Sequence, residues 1–178
     1  MKKVFLPRAP SFQKPKNELE KIAMSAKTPM ERAEIARDYF LSGYGCAQAV
    51  LMTFSDVTGF DADLAARMAS SFGGGMGRMR EVCGAVSGML MVVGYLYGYD
   101  TPGDDTVKKE HYALVQELAG KFREQMGSIV CRELLKNPPS DPNPTERTPE
   151  FYKTRPCARM VALAARILDE YIAQHPVS

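Results

Sequence analysis

The segment Phe72–Gly77, F-G-G-G-M-G, places four glycines in six residues shortly before a long apolar run, Val82–Tyr99. Each glycine in a helix interior costs about 1 kcal/mol relative to alanine. The segment is therefore a loop, and any helix before it ends there. The run after it, V-C-G-A-V-S-G-M-L-M-V-V-G-Y-L-Y-G-Y, approaches the length of a membrane span. Its four glycines, and the polar character of the rest of the chain, favour a buried helix instead. Gly84 with Gly88, and Gly94 with Gly98, set small residues one turn apart, which lets neighbouring helices approach closely. The expected architecture is a single-domain all-α helical bundle with this glycine-rich apolar helix at its centre.

The flanking segments read as helices with recognisable ends. Thr28 is an N-cap, Pro29 suits the first helical position and Glu31 completes a T-x-x-E capping box. Ala33, Ile35, Ala36, Tyr39 and Phe40 then form an apolar stripe that Gly43 stops. Cys46 opens a second helix predicted to run to Gly59, and Asp61 caps a third through Phe72. A long amphipathic helix is expected over Asp104–Met126, with Tyr112, Val115, Leu118, Ala119 and Phe122 on its inner face. Ser128 caps a brief helix around Cys131. The stretch Asn137–Glu150 holds five of the twelve prolines and reads as non-helical, either mobile or draped over the surface. Pro156 starts the last helix, to Gln174, with Val161, Ala164, Ala165, Leu168 and Ile172 inward. Residues 1–16, with three prolines and five Lys/Arg, read as an extended arm before a helical domain over 17–178. A short helix is expected over Asn17–Lys27.

A chain of 178 residues buries a real core without crosslinks. The net charge of +2 is too small to point to nucleic acid or an anionic membrane as partner. The absence of Trp also counts against a base-stacking platform. The basic N-terminus lacks the apolar segment of a secretory signal, so the expected location is cytoplasmic. Thiols stay reduced there. Four cysteines are then redox-active, catalytic or metal-binding rather than structural disulfides.

Those four, Cys46, Cys83, Cys131 and Cys157, each fall in the first turn of a predicted helix. Unpaired backbone N–H groups and the positive end of the helix dipole favour a thiolate at such positions. The gaps between them are 37, 48 and 26 residues, so no two share a turn and no C-x-x-C pair exists. Only the tertiary fold can bring them together. Four thiolates in one place suit an iron–sulfur cluster or a zinc ion. Two close pairs suit reversible disulfides, with three pairings open. Burial as small hydrophobes is the bland alternative.

The chain resembles a family of redox-active proteins named for four cysteines and a C-G-A-x-x-G motif. The motif reads here as Cys83-Gly84-Ala85-Val86-Ser87-Gly88. The resemblance extends to Gly43-Tyr44-Gly45-Cys46-Ala47-Gln48-Ala49-Val50-Leu51, to Phe72–Arg78, to Cys131-Arg132-Glu133-Leu134-Leu135 and to Cys157 opening the C-terminal helix. It covers about Arg32–Tyr171 and leaves out the basic arm. It implies that Cys46, Cys83, Cys131 and Cys157 are the catalytic or metal-ligating residues. It also implies an unidentified redox partner, and members of the family are often encoded near transporter genes.

Gly73, Gly74, Gly75 and Gly84 are the candidate backbone contacts to a bound cofactor. Arg78 and Arg80 follow the loop, where they could cradle an anion or stabilise nearby thiolates. No strand precedes this loop and no G-K-[ST] follows, so a nucleotide site is not favoured. His111 and His175 are isolated in sequence. Met76, Met79, Met89 and Met91 read as core filling. The leading function is an iron–sulfur site or a dithiol/disulfide couple. The opposing class is a structural zinc-binding or non-catalytic interaction protein. A bundle burying a glycine-rich helix is a candidate homodimer, though no residue decides it.

Overall fold

The computed structural model describes residues 28–176. The arm over 1–16 and the helix expected over Asn17–Lys27 lie outside the described residues. Within them the chain is all-α. The helices are α1 (Pro29–Leu41), α2 (Cys46–Thr53), α3 (Ser55–Thr58), α4 (Ala62–Ala69), α5 (Gly84–Tyr97), α6 (Asp105–Met126), α7 (Cys131–Leu134), α8 (Pro149–Thr154) and α9 (Cys157–Gln174). A short 3₁₀ turn, Ser70–Phe72, follows α4. The sole β feature among the described residues is an antiparallel bridge between Val82 and Val130. No described helix is long and apolar enough to cross a membrane.

The capping box of α1 forms as its sequence dictates. The Thr28 hydroxyl accepts from Glu31 N, and the Glu31 carboxylate accepts from Thr28 N at 2.9 Å. Ile35, Ala36, Tyr39 and Phe40 then face inward, and α9 lies along them with Val161, Ala164, Ala165 and Leu168 buried. Between these helices and α5 runs α2, whose residues Ala47 to Thr53, other than half-buried Gln48, are buried. One ion network pins the assembly. Arg32 of α1 pairs through Nε with Asp169 of α9 at 2.6 Å and through Nη2 with Asp56 of α3 at 2.7 Å.

The approach of α5 to α2 is set by two glycines. A Cβ on Gly88 would stand 2.6 Å from the Ala47 carbonyl oxygen and 3.0 Å from Val50 Cβ. A Cβ on Gly84 would meet Phe72 O at 2.8 Å and Cys46 Cβ at 3.2 Å. No other residue fits either position without parting the helices. Gly94 differs: it is exposed, with nothing within 4 Å of the same point. The expectation that Gly94 and Gly98 also serve a close helix approach is therefore corrected.

Several boundaries depart from the sequence reading. The second helix does not run unbroken to Gly59 but breaks at Phe54. There Arg32 Nη1 donates to the Thr53 carbonyl at 3.0 Å, and Thr53 Oγ1 donates back to Ala49 O. Those bonds satisfy groups that a continuing helix would use. In α6 only Leu118, Ala119 and Phe122 are buried. Tyr112 is 49% exposed, because the first half of the helix extends past the core, where the Tyr112 ring meets that of Tyr99. Met89 fills the core as expected, but Met76 and Met79 are exposed on the glycine loop. The proline-rich stretch ends earlier than its composition suggests. Thr148 caps Phe151 N and Pro149 begins α8.

Candidate functional site

The loop after Phe72 is built from left-handed backbone. Gly74, Gly75 and Gly77 have φ of 64°, 75° and 61°, and among them Met76, Arg78 and Arg80 have φ of 57°, 67° and 64°. Glycine takes that conformation freely, but the three larger residues store about 1–3 kcal/mol of strain each. Bonds from the distant 129–145 segment hold Arg78 and Arg80 there. Arg78 Nε donates to Asp141 O at 2.8 Å, and Ser140 Oγ donates to Arg78 O at 3.1 Å. Arg80 Nε donates to Pro139 O at 3.0 Å, and Arg132 N donates to Arg80 O at 3.0 Å. Cys131 N donates to Glu81 O at 2.6 Å and Cys83 N to Ile129 O at 2.8 Å, which ties the two strands of chain that carry these cysteines. Gly75 is needed at their crossing, where a Cβ would lie 2.7 Å from Cys131 Cβ.

All four cysteines are free, each stands at the start of a helix, and all four line one cavity of about 200 Å³. Cys46, Cys131 and Cys157 are the first residues of α2, α7 and α9, and Cys83 is the N-cap of α5. Of the glycines singled out in the sequence, Gly73, Gly74 and Gly84 line this cavity, whereas Gly75 packs behind Cys131.

The sulfurs have three different environments. Cys46 and Cys157 share a side-chain hydrogen bond. That bond holds the Cys157 thiol below its ordinary range. Burial opposes the shift, while Arg155, Arg147 and Arg80 reinforce it. The same bond, with burial, holds Cys46 well above that range. The two directions are those of a Cys46 S–H donating to the Cys157 sulfur. Cys83 is instead pushed up to about 12 by burial, against the opposing effect of the Ala85 and Val86 N–H groups. Its sulfur lies 3.9 Å from Met160 Sδ. Cys131 is raised by burial, and the adjacent Arg80 guanidinium only partly offsets this.

This arrangement does not assemble a metal-ligand set. Among the described residues no three His, Cys, Asp or Glu side chains are grouped closely enough to hold an ion. All four thiols nevertheless line the same cavity, and Cys46 feels Cys83 and Cys131 as well as Cys157.

The cavity is also lined by residues that the sequence reading did not single out: Arg147, Phe151, Arg155 and Met160. The signal for α8, which carries Phe151 and is flanked by Arg147 and by its C-cap Arg155, was Thr148-Pro149. It repeats the Thr28-Pro29 helix start, but a proline-dense surrounding masked it. Arg147 donates to Phe40 O at 3.0 Å and lies over the Phe40 ring at 4.9 Å, while Arg155 lies over the Phe151 ring at 5.0 Å. The two histidines are elsewhere. His111 Nδ1 is 3.2 Å from Tyr97 O, and exposed His175 stacks on Tyr171.

Residues 44–171 match the family described as "Putative redox-active protein (C_GCAxxG_C_C)", and the chain belongs to that family. No curated protein and no solved structure matches it.

Proposed function

We propose that this member of the family is a dithiol/disulfide redox protein in which Cys157 attacks and Cys46 resolves. The observation that carries the reading is the placement of the free thiols Cys46 and Cys157, at the starts of α2 and α9, in one cavity ringed by arginines. A thiolate is the nucleophile in exchange, and a thiol held below its ordinary pKa has a larger thiolate fraction than a free cysteine at the same pH. Cys157 gains that character from Cys46, from three nearby arginines and from the start of an 18-residue helix.

The step balances as follows. The Cys157 thiolate attacks one sulfur of a substrate disulfide, a bond forms between them, and the other substrate sulfur leaves as a thiolate. That leaving thiolate takes the proton of Cys46. The Cys46 thiolate then attacks Cys157 Sγ, closing the Cys46–Cys157 disulfide. The second substrate thiolate departs and takes a proton from water. The protein loses two electrons and the substrate disulfide gains them. Part of what holds Cys46 in its thiol form is the negative charge on Cys157, and that charge is gone once the mixed disulfide has formed. The resolving thiol thus becomes easier to ionise at the stage that needs it. A reducing, cytoplasmic compartment, where the dithiol is regenerated, suits this cycle.

No step is assigned to an iron–sulfur or zinc site, for which no group of three ligating side chains is found among the described residues. The test is a thiol count and disulfide map after mild oxidation with oxidised glutathione, with iron, sulfide and zinc measured on the same anaerobic sample. The expected result is loss of two thiols, a Cys46–Cys157 linkage, and full recovery with a dithiol reductant. Four unreacted thiols, a linkage through Cys83, or stoichiometric metal would overturn the reading.

A further inference from the structure

The cavity that holds the thiols carries four arginines, Arg78, Arg80, Arg147 and Arg155, and no carboxylate lines it. Only Arg78 is neutralised, by Asp141 at 3.3 Å. Among the described residues the other three form no salt bridge. Arg80 is the most constrained of them. It is 3% exposed, its Nε is used by Pro139 O, and its Nη2 is buried with no hydrogen-bond partner. Buried charged donors are ordinarily satisfied, because leaving one unpaired is costly. Here the backbone of Arg80 is in addition held left-handed, at φ 64°, by bonds from the 132–140 segment. The fold thus spends strain to keep a cation that no carboxylate neutralises at a cavity wall shared with the thiols.

We infer that the substrate is a small anionic electrophile, a disulfide or comparable thiol-reactive molecule bearing a carboxylate or oxyanion group. Arg80 Nη2 anchors its negative group, and Arg147 and Arg155 flank it, while the reacting atom faces Cys157. The inference rests on the thiol chemistry proposed above and adds what the partner must carry. Three observations agree on it. The excess of unpaired positive charge favours an anion over a neutral ligand of the same shape. The planar guanidinium matches carboxylate and oxyanion geometry. The volume, about 200 Å³, admits a compact molecule and falls below the roughly 300–1,000 Å³ of clefts for drug-sized ligands. The rings of Phe40 and Phe151 lie against Arg147 and Arg155 and limit how far those side chains swing.

Charge-matched alkylation tests this on the intact protein. Iodoacetate and iodoacetamide differ in one negative charge and both modify thiolates. The rate at Cys157 is followed for each by peptide mass spectrometry, at fixed pH and ionic strength, with glutathione as the free-thiol reference. The fraction of thiolate enters both rates equally, so their ratio reports the charge preference of the cavity and not the pKa of Cys157. The expected iodoacetate-to-iodoacetamide ratio is about tenfold above that of glutathione. Each of Arg80→Met and Arg155→Met should lower it about threefold to fivefold, as for loss of one unit charge a few Å away at partial screening. Inorganic sulfate should protect Cys157 in the wild type and less so in Arg155→Met. Arg155, at a helix C-cap with an ordinary backbone, keeps the test valid if Arg80→Met fails to fold. A ratio equal to that of glutathione, with Cys157 still labelled by iodoacetamide, would overturn the anionic substrate and leave the thiol chemistry standing. A folded protein in which neither reagent reaches Cys157 would overturn both.

Discussion

Replacing Gly88 with alanine should destabilise the protein, although the same change is favourable in most helices. The new Cβ would stand 2.6 Å from Ala47 O and 3.1 Å from Ala47 Cα. These are backbone atoms and cannot rotate away. Restoring an ordinary contact near 3.5 Å requires α5 and α2 to part by about 0.9 Å over their closest approach. Overpacking of this kind costs about 1–3 kcal/mol. Alanine recovers about 1 kcal/mol of helix propensity, so the net loss is about 0–2 kcal/mol, and the gap to a Gly→Ala change without the clash is the full 1–3 kcal/mol. For a chain of this size the net loss lowers Tm by up to roughly 8 °C. Gly94→Ala supplies the control within the same helix. Nothing lies within 4 Å of its Cβ position, so only the propensity gain of about 1 kcal/mol remains and Tm should rise. The assay is thermal and urea unfolding of both variants beside the wild type. A Gly88→Ala protein as stable as Gly94→Ala would refute the view that the motif glycine exists for close helix packing. Because Ala47 adjoins Cys46, Gly88→Ala should also slow closure of the Cys46–Cys157 disulfide, whereas Gly94→Ala should not.

Two further outcomes concern charge. Cys83 is raised from an ordinary thiol value of 9.0 to about 12, so the folded protein keeps a proton that the unfolded chain releases. Its stabilising contribution is whole below pH 9 and is lost as pH rises towards 12, at about 1.4 kcal/mol per unit. Urea unfolding between pH 7 and 11 should show this slope in the wild type and a shallower one in Cys83→Ala; identical slopes would contradict it. Arg32→Met should cost about 3–5 kcal/mol, because it leaves Asp56 and the buried Asp169 without their cation. Asp169→Asn, which keeps the Arg32–Asp56 pair, should cost clearly less in the same urea titration.

Local chemistry wrote most of the helices directly. A threonine, proline and glutamate start α1, Asp61 and Asp104 cap α4 and α6, and the glycines of Phe72–Gly77 make a loop. These effects act within one turn, so a linear reading finds them. It failed where distant groups intervene. Arg32 reaches 21 residues along the chain to end α2 at Thr53, and the projecting half of α6 leaves Tyr112 uncovered by anything a periodicity could reveal.

The sequence alone determined that four cysteines begin four helices, that a glycine-rich apolar helix is among them, and that the chain is all-α. Capping, glycine and apolar spacing are short-range properties, and each carries its own physical signature. Only the tertiary structure decided which thiols meet. Cys46 pairs with Cys157 across 111 residues of chain, Cys83 turns to Met160, and Cys131 turns to Arg80. The arginines that set the charge of the site come partly from a proline-rich stretch with no pattern pointing to them. A thiol's reactivity depends on the dielectric and the charges within a few ångströms. Those neighbours are supplied by folding and not by adjacency along the chain.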